Sequence, residues 1–259
     1  MKISIVTVVY NGESTIGQAA QSVISQDYPN LEYIVIDGGS KDKTVDILKA
    51  FGDQISVLIS EPDKGIYDAM NKGLAQATGD VIGILNADDF YTDHTVLTSV
   101  AKALETSGAD CLIGDLIFVA PDDLDKVKRF YSSANFELKR FEKGDMPPHP
   151  TFFARKELYA ECGNFDTSYR ITADYDLMLR MMYKKKASFT YLPKVMVTMR
   201  MGGVSNQGLK SKIKLNKEIM RSMRTNGLPS GTWRVYSKYI TKVFQLFKRP
   251  SNLVENQQN

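Results

Sequence analysis

Long hydrophobic runs are missing from this 259-residue chain, and so are the glycine fingerprints of the common nucleotide folds. No apolar stretch approaches the roughly 20 residues that a membrane-spanning helix needs. The opening Met1-Lys2-Ile3-Ser4-Ile5-Val6 has too short an apolar part, and no small-residue cleavage pattern, for a secretory signal. Only two cysteines occur, Cys111 and Cys162, both in apolar surroundings and without a CxxC pair. That scarcity argues against a disulfide framework and predicts reduced, buried thiols in a cytoplasmic protein. A dinucleotide site needs GxGxxG after its first strand, but the turn here is Tyr10-Asn11-Gly12-Glu13-Ser14-Thr15, with one glycine. A GxxxxGK[ST] loop is also absent, so any phosphate must be held by other means.

What is present is an ordinary globular balance of 43% hydrophobic and 24% charged residues, enough for a full core. The net charge of +3 hides an asymmetry. Residues 201–259 carry 11 Lys and Arg against two Glu, while residues 1–200 carry 22 basic and 28 acidic side chains. An acidic body with a basic tail suits a tail that meets an anionic surface.

The first hundred residues alternate strand and helix patterns. Ile3–Val9, Leu31–Ile36, Ile55–Ile59 and Val81–Leu85 are apolar runs of strand length. Between them Ile16, Ala19, Ala20, Val23 and Ile24, then Val45, Ile47, Leu48 and Phe51, then Ile66, Ala69, Met70, Gly73, Leu74 and Ala77 recur at helical spacing. This rhythm predicts an α/β fold with right-handed crossovers and a mainly parallel sheet flanked by helices. Beyond it the pattern predicts a helix through Val96–Leu104, strands near Cys111–Gly114 and Leu116–Val119, and an irregular stretch over 120–148. A strand at Thr151–Ala154, helices over 155–162 and 174–183, and strands at Phe189–Leu192 and Val195–Met199 follow.

Candidate site residues come at the ends of the four leading strands. Tyr10 follows the first, Asp37 the second, Asp63-Lys64 the third, and Asn86-Ala87-Asp88-Asp89 the fourth. In an open α/β sheet the carboxyl ends of the strands are where ligands bind. Adjacent acids there repel each other and are tolerable around a hard divalent cation with oxygen ligands. A base stacking on Tyr10, with Asp37 accepting from its edge or from a ribose, would complete one crevice. A second acidic stretch, Ala173-Asp174-Tyr175-Asp176, opens a predicted helix. Asp174 there is either an N-cap or a general base that removes a hydroxyl proton, and spacing alone leaves both open. His149, held between prolines, is a substrate contact or a simple loop residue, and Gly202-Gly203-Val204-Ser205 a lid hinge or a turn.

Taken in order, Ile5-Val6-Thr7-Val8-Val9-Tyr10-Asn11, Val35-Ile36-Asp37-Gly38-Gly39-Ser40, Gly65-Ile66-Tyr67-Asp68-Ala69-Met70-Asn71-Lys72-Gly73, Asn86-Ala87-Asp88-Asp89 and Ala173-Asp174-Tyr175-Asp176 resemble the inverting family 2 glycosyltransferases of GT-A fold. The likeness is strongest to bacterial enzymes of exopolysaccharide and O-antigen type and covers about residues 1–205. It implies a GT-A catalytic domain over 1–205, with 1–110 holding the nucleotide-sugar and 111–205 the acceptor, and a basic helical extension over 206–259. It also implies that Thr7, Tyr10, Asp37, Lys64 and Asp88 line the nucleotide site. Asp88 and Asp89 would hold Mg²⁺ or Mn²⁺, Asp174 would be the base, and Asp176 and His149 would support it or the acceptor. Asn86 stands where relatives often carry an acid, and Ala173 where many carry Glu.

The implied reaction moves a sugar from a UDP- or GDP-sugar to a hydroxyl of a glycan or lipid-linked acceptor in cell-surface polysaccharide synthesis. A nucleotidyltransferase would want a glycine-rich loop with a basic residue after the first strand, and none is there. An inactive nucleotide-sugar-binding scaffold would not need Asp88, Asp89 and Asp174 together. In the tail, Tyr236, Tyr239, Ile240, Val243, Phe244 and Phe247 share a helical face flanked by Lys238, Lys242, Lys248 and Arg249. That pattern suits a helix on the anionic inner face of a membrane, a helix packed on the body, or a homodimer contact. No recognition motif for nucleic acid accompanies the charge.

Overall fold

The computed structural model describes residues 1–202, 208–229 and 231. Residues 203–205 of the stretch from Gly202 read as a lid hinge or a turn, and the tail helix expected from Tyr236 onward, lie outside the described residues. Strand β1 (Ile3–Val9) is buried at every position, as expected of a strand covered on both faces. It pairs in parallel with β2 (Leu31–Asp37) on one side and β4 (Val81–Ile84) on the other, and β2 pairs in parallel with β3 (Val57–Ser60). The intervening helices are α1 (Ile16–Ile24), α2 (Thr44–Lys49) and α3 (Ile66–Gln76). The carboxyl ends of β1, β2 and β4 therefore share one edge of the sheet, which puts Tyr10, Asp37 and Asn86 side by side in the topology.

Past β4 the sheet becomes mixed. β5 (Asp89–Tyr91) is followed by α4 (Val96–Ser107), β6 (Cys111–Ala120), β7 (Asp123–Tyr131), β8 (Phe153–Arg155), α5 (Lys156–Cys162), α6 (Ala173–Met178) and β9 (Phe189–Arg200). The nine strands run β3-β2-β1-β4-β8-β6-β9-β5, with β7 pairing β6 off that path. Helix α7 (Gly208–Thr225) follows. No helix among the described residues is long and apolar enough to cross a membrane.

The sheet divides two apolar layers. Val6 and Val8 point into one with Met70, Leu74, Leu158, Leu177 and Met182; Ile3, Ile5 and Val9 point into the other with Ile16, Val23, Val100 and Leu104. Each fully buried Ile, Val or Leu stabilises the fold by about 1.5–3 kcal/mol. Ile219, Met223 and Leu228 insert into the first layer, which docks α7 against the body.

Three expectations are corrected. The strands expected at 111–114 and 116–119 are one strand, β6, and those expected at 189–192 and 195–199 are one strand, β9. The breaks in the sequence pattern, Gly114 and Pro193, fall where the β6–β9 register shifts from Ile113↔Tyr191 to Asp115↔Val195. A bulge of this kind absorbs a proline that the ladder cannot use. Residues 123–131, expected to be irregular, form β7, whose polar composition follows from its exposure. The helix expected over 174–183 starts at Ala173 as α6 and continues as a π-helical segment over Leu179–Lys184.

Candidate active site

The turn after β1 and the loop after β2 are laced together. Asn11 adopts φ 49°, its amide donates to Ser40 Oγ at 2.7 Å, and its side-chain oxygen accepts from the Lys41 amide at 2.9 Å. Asp37 is fully buried and accepts from the Gly39 amide (3.1 Å), the Ser40 amide (3.0 Å), the Ser40 hydroxyl and Ser60 Oγ (2.6 Å). Its carboxylate thus fixes the loop from beneath. Gly38 matters for a different reason: a Cβ there would run into the Asp63 carboxylate and come within 3.4 Å of the Tyr10 ring. The missing side chain lets Tyr10, which is 63% exposed, and Asp63 converge on one spot. Lys64 is exposed beside them, with its amide donating to Asp68 Oδ2 at 3.0 Å. Thr7 lies one turn of the pleat inward; it is fully buried, and its hydroxyl accepts from Tyr33 at 3.2 Å.

The fourth strand end has the opposite character. Asp89 is fully buried, and its Oδ1 has no hydrogen-bond partner; neither do Asn86 Oδ1 and the Tyr91 hydroxyl. Asp89 Oδ2 receives only a long 3.4 Å contact from Asn86 Nδ2. Burial, and then the neighbouring Asp88 charge, push the Asp89 carboxyl well above its ordinary range, with Arg200 opposing. Asp88 is half-buried. Arg200, at the end of β9, donates to the Asp88 carbonyl and to Gln18 Oε1, and its guanidinium lies 5.1 Å from the centre of the Phe90 ring. Buried polar groups in folded proteins are almost always paired. Two unpaired oxygens beside a half-buried carboxylate form an oxygen donor set of the kind that hard divalent cations prefer, with substrate phosphates and water completing the shell. The residues therefore fit Mg²⁺ or Mn²⁺, although no cluster of three acidic, His or Cys ligands occurs among the described residues.

Asp174 sits in the first turn of α6. Burial raises its carboxyl to about 6 and the Glu218 charge adds to the rise, while the Tyr175 amide (2.8 Å) and the Tyr67 hydroxyl favour the charged form. A general base is most effective with a pKa close to the working pH. Tyr67 stacks on Phe165 at 5.6 Å, and Phe165 meets His149 edge-on at 5.7 Å. Burial depresses His149 to about 4, so it stays neutral near pH 7. His149 thus lies two rings behind Asp174. Asp176 turns away: its carboxylate accepts from Arg180 Nε (2.8 Å), Ser222 Oγ (2.6 Å) and Asn226 Nδ2 (3.0 Å).

The sequence pattern alone assigns no site role to Tyr67, Arg200 or Glu218. Tyr67 carries a signal, since it lies in the first turn of α3, three residues after Lys64; the other two carry none, because their partners are distant in the chain.

Residues 4–163 match Glycosyl transferase family 2. An uncharacterized glycosyltransferase of Mycobacterium tuberculosis is 33% identical over 180 residues, which is 69% of this chain and 68% of that protein. The chain belongs to glycosyl transferase family 2. Within the family, a PGL/p-HBAD biosynthesis glycosyltransferase of Mycobacterium bovis is 28% identical over 208 residues, 78% of each chain. Among solved structures, S. aureus TarS 1–349 in complex with UDP-GlcNAc is similar with a TM-score of 0.70 and 17% identity, covering 95% of this chain and 73% of that one. The chain spans 44% of a longer TarS chain. A mannosyltransferase of Pyrobaculum calidifontis in complex with GDP-Man and Mn²⁺ gives a TM-score of 0.61 at 16% identity, covering 96% of this chain and 81% of that one. At these identities the structural likenesses establish the GT-A fold. The family match ends before Asp174, so the second half of the site rests on geometry.

Proposed function

We propose that this family 2 glycosyltransferase moves a sugar, with inversion, from a nucleotide-diphosphate sugar to an acceptor hydroxyl. The observation that carries the proposal is the pair of buried, unpartnered oxygens on Asn86 and Asp89, which lie at the carboxyl edge of the sheet where a diphosphate would enter. Tyr10 offers an exposed ring on which the base can stack, Gly38 leaves it room, and Asp37 holds the loop that shapes the pocket. Thr7 backs that pocket through Tyr33, and Lys64 places a cation at its mouth. Asp88 and Asp89, with Asn86, would hold a divalent cation, which when bound supplies Lewis-acid stabilisation of a leaving diphosphate. Asp174 takes the proton from the attacking hydroxyl, and a single displacement inverts the anomeric centre. His149, neutral and packed behind Tyr67, keeps that wall apolar.

UDP-GlcNAc in TarS and GDP-Man with Mn²⁺ in the archaeal enzyme support a UDP- or GDP-sugar donor and a metal. The mycobacterial relative's role in PGL/p-HBAD biosynthesis supports a glycan or lipid-linked acceptor. Lys212, Lys214, Lys217, Arg221 and Arg224 are exposed along α7, consistent with approach to an anionic membrane face. The test uses the full chain, a panel of UDP- and GDP-sugars, and Mn²⁺ or Mg²⁺. Asp174→Asn should lower turnover by about 10²–10⁴-fold while donor binding stays within twofold. Normal turnover in that variant defeats the base assignment, and binding of every donor unaffected by either cation defeats the metal assignment.

A further inference from the structure

Glu218 and Ser222 on helix α7, and Asn226 in the turn directly after it, follow at intervals of four, which places them on one side. Glu218 and Ser222 are turned away from solvent, and Asn226 is half-buried. Glu218 is buried, and its carboxylate accepts from the Arg170 amide (3.2 Å to each oxygen), the Ile171 amide (2.9 Å), the Thr172 amide (3.2 Å) and Thr172 Oγ1 (3.3 Å). Ser222 and Asn226 hold Asp176 Oδ1. The chain is therefore gripped at 170–172 and again at 176, on both sides of Asp174, by one side of α7 and the turn after it.

The first amides of a helix lack partners within it and require a cap. Thr172 occupies the N-cap position of α6 yet makes no capping bond to its own helix; its hydroxyl goes to Glu218 instead. Glu218, 46 residues further along the chain, does not reach those first amides; its carboxylate receives the N–H groups of Arg170, Ile171 and Thr172 and so fixes the N-cap residue and the two before it. None of the ion pairs among the described residues includes Glu218. Its charge is held by backbone amides and the Thr172 hydroxyl and acts on its surroundings, raising both Asp174 and Tyr67.

We infer that Glu218 is a positioning residue for Asp174: its carboxylate anchors residues 170–172, which lead into the turn that presents the base, and places a negative charge beside it. This rests on Asp174 being the base. Asp174 is faced by Tyr67 from α3, by Glu218 from α7 and, on its own helix, by Asp176, whose charge Arg180 pairs. His149 lies beyond Tyr67 and Phe165 and is neutral near pH 7. Glu218 is thus the one unpaired acid among these neighbours.

The experiment measures kcat and donor KM from pH 5 to 9 for the wild type, Glu218→Gln and Asp174→Asn, using whichever UDP- or GDP-sugar the wild type turns over. In Glu218→Gln, kcat should fall about 10- to 100-fold, the loss expected of a base shifted by a fraction of an ångström to one ångström. Donor KM should stay within twofold, and the acidic limb of the kcat profile should move to lower pH, because a negative neighbour has been removed. A merely structural role would lower the melting temperature and leave the limb in place. Wild-type kcat, or an acidic limb that is unmoved or raised, overturns the inference. Should Glu218→Gln fail to fold, Glu218→Asp keeps the charge and withdraws it by one methylene. It should then lose kcat with little shift of the limb, and wild-type kcat overturns the inference equally. If Asp174→Asn itself retains turnover, the base reading has failed; if it is inactive while Glu218→Gln behaves as wild type, only the positioning role has failed.

Discussion

Two groups of buried carboxylates in this molecule are treated in opposite ways. Asp37, Asp176 and Glu218 each accept three or more hydrogen bonds from within the protein. Asp89 is as deeply buried as any of them and leaves one oxygen without a partner, as does its neighbour Asn86. Leaving a buried polar atom unpaired costs about 1–3 kcal/mol, more for a charged one. The satisfied carboxylates therefore build the frame, and in the proposed function the unsatisfied pair would face the incoming diphosphate and its cation.

That contrast breaks most visibly at Asp89. Replacing it with Asn should lower kcat/KM by about 10³-fold, since a cation's charge stabilisation is worth several kcal/mol. Stability should move the other way. A carboxyl raised in the folded state contributes stability at pH below its unfolded value and loses it as pH rises through the folded one. At pH 7 the neutral amide removes that burden, so the melting temperature without metal should rise by about 2–4 °C. A fall in both activity and melting temperature would place Asp89 with the frame. Asp176→Ala supplies the converse. It strips partners from Arg180, Ser222 and Asn226 at once and should cost about 3 kcal/mol of stability, the usual result of breaking a buried pair. Urea unfolding measures it, and a loss below about 0.5 kcal/mol would leave Asp176 no framework role.

How far the sequence reveals this arrangement depends on how far apart the partners lie. The alternation from β1 to β4 is legible because each element declares its own period, and the strand ends then deliver Tyr10, Asp37 and Asp88-Asp89 to one edge. Within that edge, the sequence cannot say which acid is satisfied. Asp37 looks like Asp89 until the Ser40 and Ser60 hydroxyls are seen to occupy it. β5 escapes notice because three residues carry no period, and it exists through pairing with β9. β7 escapes because an exposed strand needs no apolar alternation. Arg200 reaches the Asp88 carbonyl across 112 positions and Glu218 reaches Thr172 across 46, distances at which no local pattern survives.

Tyr67 gives the smallest and most discriminating effect. Its hydroxyl favours the charged form of Asp174, whereas the Glu218 charge disfavours it. Tyr67→Phe keeps the ring on Phe165 and removes only that hydroxyl. The Asp174 carboxyl should then rise above its present value of about 6 and the acidic limb of kcat should move to higher pH, the reverse of the shift expected for Glu218→Gln. Losing one hydrogen bond to a charged group, worth about 1.5–3 kcal/mol at most, and retaining the Tyr175 amide bond limits the change to a few-fold in kcat at pH 7. Opposite displacements of one limb by two substitutions on different helices would locate the titrating group between them. Displacements of the same sign would mean that the limb belongs to another residue, and Asp174 would join the frame.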